Sequence, residues 1–191
     1  MPDVNRNRRA VHCSDVTDAE RDALLVVRAQ LGDRRALSEL VGHWHLPVWR
    51  YVRVMLGDRA RADDISQEVW ARALRALPRL RQPERFAPWL LTIARRSVIA
   101  NLREGYDKNV PEESPSIRDE ADSVLDRAQV TEGLAGLAPR EREVLILFYL
   151  QDLALDDCAQ ILGVPPGTVK SRLNRARRLL RDQMIEKGYG A

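Results

Sequence analysis

A basic segment near the C-terminus carries the side chains best suited to bind a polyanion. Its cations fall between Thr168 and Arg181, and no acidic residue interrupts them. Apolar residues recur there at steps of three and four, so a helix would bury one line and project the cations from its other faces. Such groups neutralise phosphates and donate to the edges of guanine, which is the chemistry of DNA binding. The cations are Lys170, Arg172, Arg175, Arg177, Arg178 and Arg181.

A shorter helix is expected just before this basic one. Residues Asp156–Leu162 carry apolar side chains at helical spacing, and Gly163 suits the left-handed residue that ends a helix. Pro165 and Pro166 cannot continue that helix, but a proline fits the first turn of the next. The pattern predicts a helix–turn–helix whose second helix enters the DNA major groove. A solvated helix of a bundle is the alternative interpretation.

The composition fits a globular protein with one domain or two small ones. The chain has 191 residues, of which 45% are hydrophobic and 31% charged. It contains no apolar run of membrane length, and its first residues lack the apolar core of a signal peptide, which predicts a cytoplasmic protein. The net charge is only +3. The basic helix is instead segregated from an acidic run at Pro111–Asp126, so the distribution of charge is more informative than its sum.

Residues suited to metal binding or catalysis lack the necessary spacing. The two cysteines, Cys13 and Cys158, and the three histidines form no pattern of metal ligands. The sequence also lacks a nucleotide-binding glycine loop and a catalytic triad signature. We therefore expect no metal, no cofactor and no enzymatic activity.

Hydrophobic periodicity predicts four helices in a first domain, residues 18–104, after a flexible tail at 1–17. In the first of these helices Leu24, Val27, Arg28 and Leu31 share one side. Pro47 should kink or restart the second helix. The four helices are Asp18–Leu31, Arg34–Leu56, Arg59–Leu77 and Phe86–Arg103, with a basic loop at Arg79–Arg85 before the last.

A linker is expected at 105–123, where acids and prolines replace hydrophobic residues. A second domain follows at 124–187, with helices at Val124–Leu137 and Pro139–Leu150 before the helix–turn–helix, and a short tail at 188–191. The predicted fold is therefore all-α, with two small helical domains joined by an acidic flexible linker.

Three blocks of sequence resemble the extracytoplasmic-function sigma factors of bacterial RNA polymerase. They are ADDISQEVWARAL (Ala62–Leu74), RFAPWLLTIARRSVIANLR (Arg85–Arg103) and LAPREREVLILFYLQDLALDDCAQILGVPPGTVKSRLNRARRLL (Leu137–Leu180). The resemblance runs from about Leu24 to Arg181, with the blocks in the family's order. It implies a subunit that binds core RNA polymerase and directs promoter-specific initiation.

The first block would bind the clamp helices of the polymerase. By resemblance the contacts are Asp64, Gln67 and Glu68. Asp64 and Glu68 are four residues apart, so their carboxylates share one helix face. Such an acidic patch suits an arginine-bearing partner.

The second block resembles the part of the family that opens the −10 element and holds a flipped base. Arginines would supply the electrostatics and aromatic rings a stacking surface, although Phe86 is expected in the core. The block departs from the family at Arg96, where asparagine is common, at Ala100, where aspartate is common, and at Gln82 and Pro83. The −10 candidates are Arg79, Arg81, Arg85, Trp89, Arg95 and Arg96.

The third block would bind the −35 element. Lys170 or Arg175 could donate to guanine and Asn174 could pair with adenine, while Thr168 and the amides near Gly167 suit a phosphate. Ala154 stands where the family has a capping serine, and Asp152 or Asp156 could replace that cap. The −35 candidates are Gly167, Thr168, Lys170, Ser171, Arg172, Asn174, Arg175 and Arg178.

The resemblance further implies contacts with the polymerase flap, a linker in the RNA-exit region and silencing by an anti-sigma factor. One alternative is a free-standing helix–turn–helix regulator that binds an operator as a dimer. Another is a protein that only sequesters polymerase or an anti-sigma factor.

Overall fold

The computed structural model describes the backbone of residues 8–107 and 133–188, and side chains within 18–103 and 133–188. The described residues form helices and no strands, which confirms the all-α fold. The acidic run at Pro111–Asp126 and most of the predicted helix Val124–Leu137 lie outside this part of the chain. The helices are α1 (Arg8–Gln30), α2 (Arg34–Leu56), α3 (Arg59–Ala76), α4 (Phe86–Asp107), α5 (Pro139–Leu145), α6 (Leu155–Leu162) and α7 (Pro166–Glu186).

Helix α1 differs from the sequence prediction in its start and in its buried face. It begins at Arg8, well before Asp18, in a segment with too few apolar residues for periodicity to detect. The buried residues of its second half include Asp22, Leu25 and Val26, whereas Leu24 and Leu31 are exposed, Leu31 to 83%. Leu24, Val27 and Leu31 thus share one side of α1, as the spacing predicts, but that side faces solvent and the core lies on another face. Four consecutive apolar residues, Leu24–Val27, allow either face to be read as the core.

Local signals in the sequence set the ends of α2 and α3. The Asp33 side chain accepts hydrogen bonds from the amides of Arg35 and Ala36, and Gly57 ends α2 in the left-handed conformation at φ 74°. Asp58 caps α3 by accepting from the amide of Arg61 at 2.7 Å. Pro47 lies inside α2, which continues through it without a restart.

The basic loop between α3 and α4 consists of two short 3-10 turns, Leu77–Arg79 and Pro83–Arg85. The side-chain amide of Gln30 donates to the carbonyls of Leu77 and Leu80, at 2.9 and 2.8 Å, and so fastens the loop to α1. The loop is therefore held against α1 by two hydrogen bonds from one side chain.

The predicted helix Pro139–Leu150 is an α-helix in its first part and a π-helical turn in its second. Helix α5 passes at Ile146 into a wide π turn that ends at Leu150, where the amide of Gln151 donates to the carbonyl of Ile146. Asp152 follows with φ 49°, and α6 then begins. The helix–turn–helix is confirmed: Gly163 is left-handed at φ 66°, and Val169, Leu173 and Ala176 of α7 are buried.

Helix α6 begins without a side-chain cap. Its N-cap residue is Ala154, and no side chain bonds to the amides there, so neither Asp152 nor Asp156 replaces the missing serine. Asp156 and Asp157 lie in the first turn, where carboxylates are favoured by the helix dipole. The dipole contribution thus remains, but the capping hydrogen bond is lost.

We expect Ala154→Ser to raise the free energy of unfolding by about 1 kcal/mol, because a serine at this position can accept from the free amides of α6. Urea unfolding followed by circular dichroism measures the change. Ala71→Ser, at an exposed position inside α3, is the control and should be neutral or slightly destabilising. Equal effects of the two substitutions would contradict the capping explanation.

Candidate nucleic-acid and polymerase interfaces

Helix α7 presents the predicted −35 side chains away from its buried line. Lys170, Ser171, Asn174 and Arg175 are exposed, while Val169 packs inward. The Ser171 hydroxyl donates to the carbonyl of Thr168 at 2.9 Å, so it is already oriented along the helix. The face predicted to read bases is therefore open to a ligand.

In the first turn of α7, only some of the groups predicted to bind a phosphate are available. Pro166 has no N–H, and the amide of Thr168 donates to the carbonyl of Pro165 at 2.9 Å. The amide of Gly167 and the half-buried Thr168 side chain remain as the candidates from this segment.

The other arginines of α7 differ in their surroundings. Arg175 lies with its Nε 3.4 Å from a carboxylate oxygen of Glu141 on α5, although its side chain is 66% exposed. Arg172 is half-buried and Arg178 exposed. Arg177 stacks its guanidinium 5.4 Å from the centre of the Tyr149 ring. Arg177 is thus used within the second domain, whereas Arg175 needs only to leave a weak surface pair to reach DNA.

The −10 candidates divide into an open group and a covered group. Arg79, Arg81 and Arg96 are exposed on the loop and on α4. Trp89 is half-buried, with its ring centre 5.7 Å from that of Phe86, and Phe86 is buried as expected. The stacking surface of Trp89 is therefore partly available.

Arg85 and Arg95, by contrast, face the second domain. Arg85 lies 3.1 Å from a carboxylate oxygen of Asp157 on α6 and also donates to the side-chain carbonyl of Gln160. The Nε of Arg95 lies 3.0 Å from Oε1 of Glu143 on α5. The structure therefore does not bring the six −10 candidates together on one open surface.

A buried polar pair joins α2 to α5 beside Arg95. The Tyr51 hydroxyl on α2 donates to Oε1 of Glu143 at 2.8 Å, and both side chains are buried. Burial raises the pKa of Tyr51 well above 10, and the negative charge of Glu143 adds to the effect. The phenol therefore stays protonated and acts as the donor to the carboxylate.

The predicted polymerase patch lies on the outer side of α3. Asp64 and Gln67 are exposed, and Glu68 forms an ion pair with Arg72 one turn later. The neighbouring Asp63 accepts from the indole N–H of Trp49 at 2.6 Å, which ties it to α2. The three predicted residues thus form a continuous polar surface. Asp63 is not part of it, because its side chain is bonded to Trp49.

Sequence reasoning missed the residues that join the domains. The sequence gives no reason to assign Tyr51, Glu143 or Asp157 to a contact between distant helices. One signal was available: Glu143 directly precedes a long apolar run, where a charge is seldom left without a partner. Its partners could not be inferred, because Tyr51 lies 92 residues away in the sequence and Arg95 lies on another distant helix.

Among the residues that the structure describes, no group of histidine, cysteine and acidic side chains could hold a metal ion. Likewise, none of the described helices is long and apolar enough to cross a membrane.

We expect Asp157→Asn to raise the free energy of unfolding above that of wild type at neutral pH. At acid pH this gain should be smaller or absent. Burial raises the pKa of Asp157 above its ordinary value of 3.8, more than Arg85 lowers it. Because the folded pKa exceeds the unfolded one, folding disfavours the carboxylate, and wild-type stability falls as the pH rises through this window. The asparagine variant lacks that loss and still offers an oxygen to Arg85.

Urea unfolding of wild type and variant below pH 3.8 and at pH 7 measures this difference. The exposed neighbour Asp156, changed to asparagine, is the control. A variant that becomes less stable than wild type only at neutral pH would mean that the Arg85 ion pair outweighs the cost of burial.

Comparison with protein families finds two matches in chain order. Sigma-70 region 2 matches residues 40–106, and Sigma-70 region 4 matches residues 127–180. The first match contains the α3 patch and α4, and the second contains the helix–turn–helix.

Several curated proteins are similar over most of the chain. ECF RNA polymerase sigma factor SigC of Mycobacterium tuberculosis is 34% identical over 172 residues, which cover 86% of this chain and 91% of that protein. SigL of the same species is 35% identical and covers 74% of this chain and 84% of its own. BldN of Streptomyces coelicolor is 32% identical, and the match covers 86% of this chain and 66% of BldN.

Two solved structures share the fold. CnrH, solved in complex with the cytosolic domain of CnrY, has a TM-score of 0.68 and 26% identity, covering 87% of this chain and 98% of that one. RpoE, solved with the anti-sigma factor NepR from Bartonella quintana, has a TM-score of 0.71 and 23% identity. The match covers 78% of this chain and 96% of RpoE.

Proposed function

This chain belongs to the extracytoplasmic-function sigma factors of bacterial RNA polymerase, and from that premise we propose how its domains divide promoter recognition. As a sigma factor it directs transcription initiation by the polymerase. We assign core binding and the −10 element to a region-2 domain at 18–104, and the −35 element to a region-4 domain at 124–187. The linker at 105–123 would follow the RNA-exit path. We place the protein in the cytoplasm, where the polymerase acts.

The open face of α7 is the observation that carries the −35 assignment. Lys170, Asn174 and Arg175 project from a helix whose opposite line is buried, as a recognition helix requires. Arg175 and Lys170 are assigned to guanine and Asn174 to adenine. Arg172 and Arg178 are assigned to phosphates, which set the position of the helix on the duplex.

The −10 assignment rests on the cations and ring at the junction of the loop and α4. Arg79, Arg81 and Arg96 are exposed and can follow a single-stranded backbone, and Trp89 offers part of its ring to an unstacked base. Arg85 and Arg95 join them only when the second domain no longer holds them.

We propose that an anti-sigma factor controls this chain. CnrH was solved with the cytosolic domain of CnrY, and the chain covers nearly the whole length of CnrH. The surfaces assigned to the clamp, the flap and the promoter are the ones whose covering would silence it. We assign no catalytic role to this chain.

Transcription from a two-element promoter with purified core polymerase tests the function as a whole. Run-off product that requires this chain supports it. An operator-binding dimer would instead give footprints without polymerase, but that alternative leaves the exposed acidic patch of α3 without a purpose.

We expect Arg175→Ala to reduce discrimination between the correct and a scrambled −35 element by about 1–3 kcal/mol, the value of a bidentate contact to guanine. Holoenzyme binding to both promoters, measured by fluorescence anisotropy, gives the difference. Arg178→Ala is the matched control and should weaken binding to both promoters equally. An equal loss on both promoters for Arg175→Ala would make that residue a phosphate contact.

We expect the double substitution Asp64→Lys and Glu68→Lys to abolish binding to core polymerase, because it reverses the charge of the assigned clamp contact. Co-purification with core measures binding, and circular dichroism verifies that the fold is intact. Glu84→Lys, at an exposed site of the same domain, should leave binding unchanged. Normal affinity of the double variant for core would disprove the clamp assignment.

A further inference from the structure

Helix α1 carries two polar side chains that bond to other parts of the first domain. Gln30 is the last residue of this helix and is partly buried, and Asp22 lies about two turns earlier. Asp22 is only 3% exposed. A buried carboxylate is costly unless it finds hydrogen-bond donors, and a buried amide needs partners for the same reason. Neither residue belongs to the surfaces assigned to polymerase or DNA, so their partners indicate what they do.

Gln30 fixes the start of the basic loop. Its side-chain amide donates to the carbonyls of Leu77 and Leu80, at 2.9 and 2.8 Å. The carbonyl of Leu77 also accepts from the amide of Leu80 at 3.0 Å, which closes the 3-10 turn. Arg79 lies between the two bonded carbonyls and Arg81 directly follows them, and both are exposed. One side chain of α1 thus holds the backbone from which these two cations project.

Asp22 orients an aromatic ring of α2. Its carboxylate accepts from the indole N–H of Trp44 at 2.7 Å, and Nδ1 of His43 lies 3.2 Å from its other oxygen. Burial raises the pKa of Asp22, and the bond from Trp44 and the nearby His43 oppose that rise. The indole N–H of Trp44 therefore has its acceptor on α1, and the direction of the ring depends on that helix.

The Trp44 ring contacts the aromatic side chains at the start of α4. It meets Phe86 edge-on, with the ring centres 6.1 Å apart and the planes at 72°. Phe86 lies 5.7 Å from Trp89, the ring assigned to an unstacked base. Helix α1 also packs directly against the second 3-10 turn, Pro83–Arg85, which leads into Phe86. A displaced Trp44 would therefore change the position of Phe86 and, through it, of Trp89.

We propose that Gln30 and Asp22 are positioning residues for the −10 element, through which α1 holds both ends of the basic loop in the shape that binds the single strand. The proposal rests on the assignment of Arg79, Arg81 and Trp89 to that element. A loop that is already ordered loses less conformational entropy when it binds. Gln30 and Asp22 act through the loop and the rings and do not touch the nucleic acid.

Amide hydrogen exchange of the full chain, measured on peptides from residues 77–86, tests the role of Gln30 without DNA. Gln30→Leu removes the donor at unchanged charge, and we expect faster exchange in these peptides and none of this change in α3. Gln30→Glu should have the same effect, because a carboxylate cannot donate to the two carbonyls. Arg21→Gln is the control: it makes the same charge change as Gln30→Glu and breaks the ion pair of α1 with Glu39.

The positioning role of Gln30 is overturned if neither of its variants exchanges faster in the loop than wild type. It is also overturned if Arg21→Gln accelerates exchange there as much as they do, because any loosening of α1 would then suffice.

Binding by the holoenzyme tests the consequence for DNA. The probe is a fluorescent single strand carrying the −10 element of a promoter from which this chain initiates, and a duplex with only the −35 element is the reference. We expect Gln30→Leu to weaken binding of the single strand about tenfold, because the apparent affinity scales with the fraction of molecules whose loop is competent. Binding of the −35 duplex and co-purification with core should not change. Loss of core binding in step with the strand would show a merely destabilised domain and contradict the proposal.

Two variants of Asp22 test the aromatic contacts in the same assay. Asp22→Ala removes the acceptor of the Trp44 N–H, whereas Asp22→Asn keeps an oxygen that can accept it. We expect the alanine variant to lose affinity for the single strand and the asparagine variant to keep most of it. If Asp22→Ala fails to fold by circular dichroism, Trp44→Phe takes its place, since it removes the indole donor and retains a ring. Equal affinities of the alanine and asparagine variants, or wild-type affinity of Trp44→Phe, would overturn the role of Asp22.

Arg81→Ala and Trp89→Ala separate the positioning role from the assignment on which it rests. Both should weaken binding of the single strand. If they do and the Gln30 and Asp22 variants do not, the positioning role is overturned and the −10 assignment stands. If they bind the strand as wild type does, the −10 assignment itself fails and the proposal fails with it.

Discussion

Two adjacent charged residues, Arg142 and Glu143, are buried where the two domains meet. Arg142 donates to the carbonyls of Leu134, Ala135 and Leu137 in its own domain and to those of Val54 and Met55 in the other. One guanidinium thus serves as a common donor for the turn before α5 and for the end of α2. Removing it would leave buried acceptors without partners, which is costly. The position of α5, and with it the helix–turn–helix, depends on this residue.

The sequence was most informative where local physics decides the structure. Hydrophobic periodicity predicted the bounds of α2, Gly163 predicted the end of α6, and the spacing of Val169, Leu173 and Ala176 predicted the buried line of α7. These signals act within a few residues, so a single sequence contains them. The resemblance of whole blocks then gave the family, which the comparisons confirmed.

The features that the sequence could not predict depend on contacts between distant segments of the chain. The inner face of α1 could not be identified, because Leu24 and Leu25 are equally apolar and only packing against α2 distinguishes them. Arg85 and Arg95 were predicted as contacts to the −10 element, and nothing in the sequence around them indicates Asp157 or Glu143 as partners. The roles of the individual residues on DNA and polymerase remain predictions.

The uncapped start of α6 affects the motions of the second domain. This short helix carries Asp157 and Gln160, which hold Arg85, and it is the first helix of the helix–turn–helix, followed by α7. Its first amides lack a side-chain acceptor at Ala154, so little free energy opposes fraying there. We therefore expect amide protons at this end of α6 to exchange with solvent before those of the α7 core. The segment that holds Arg85 would then also be the one that opens first.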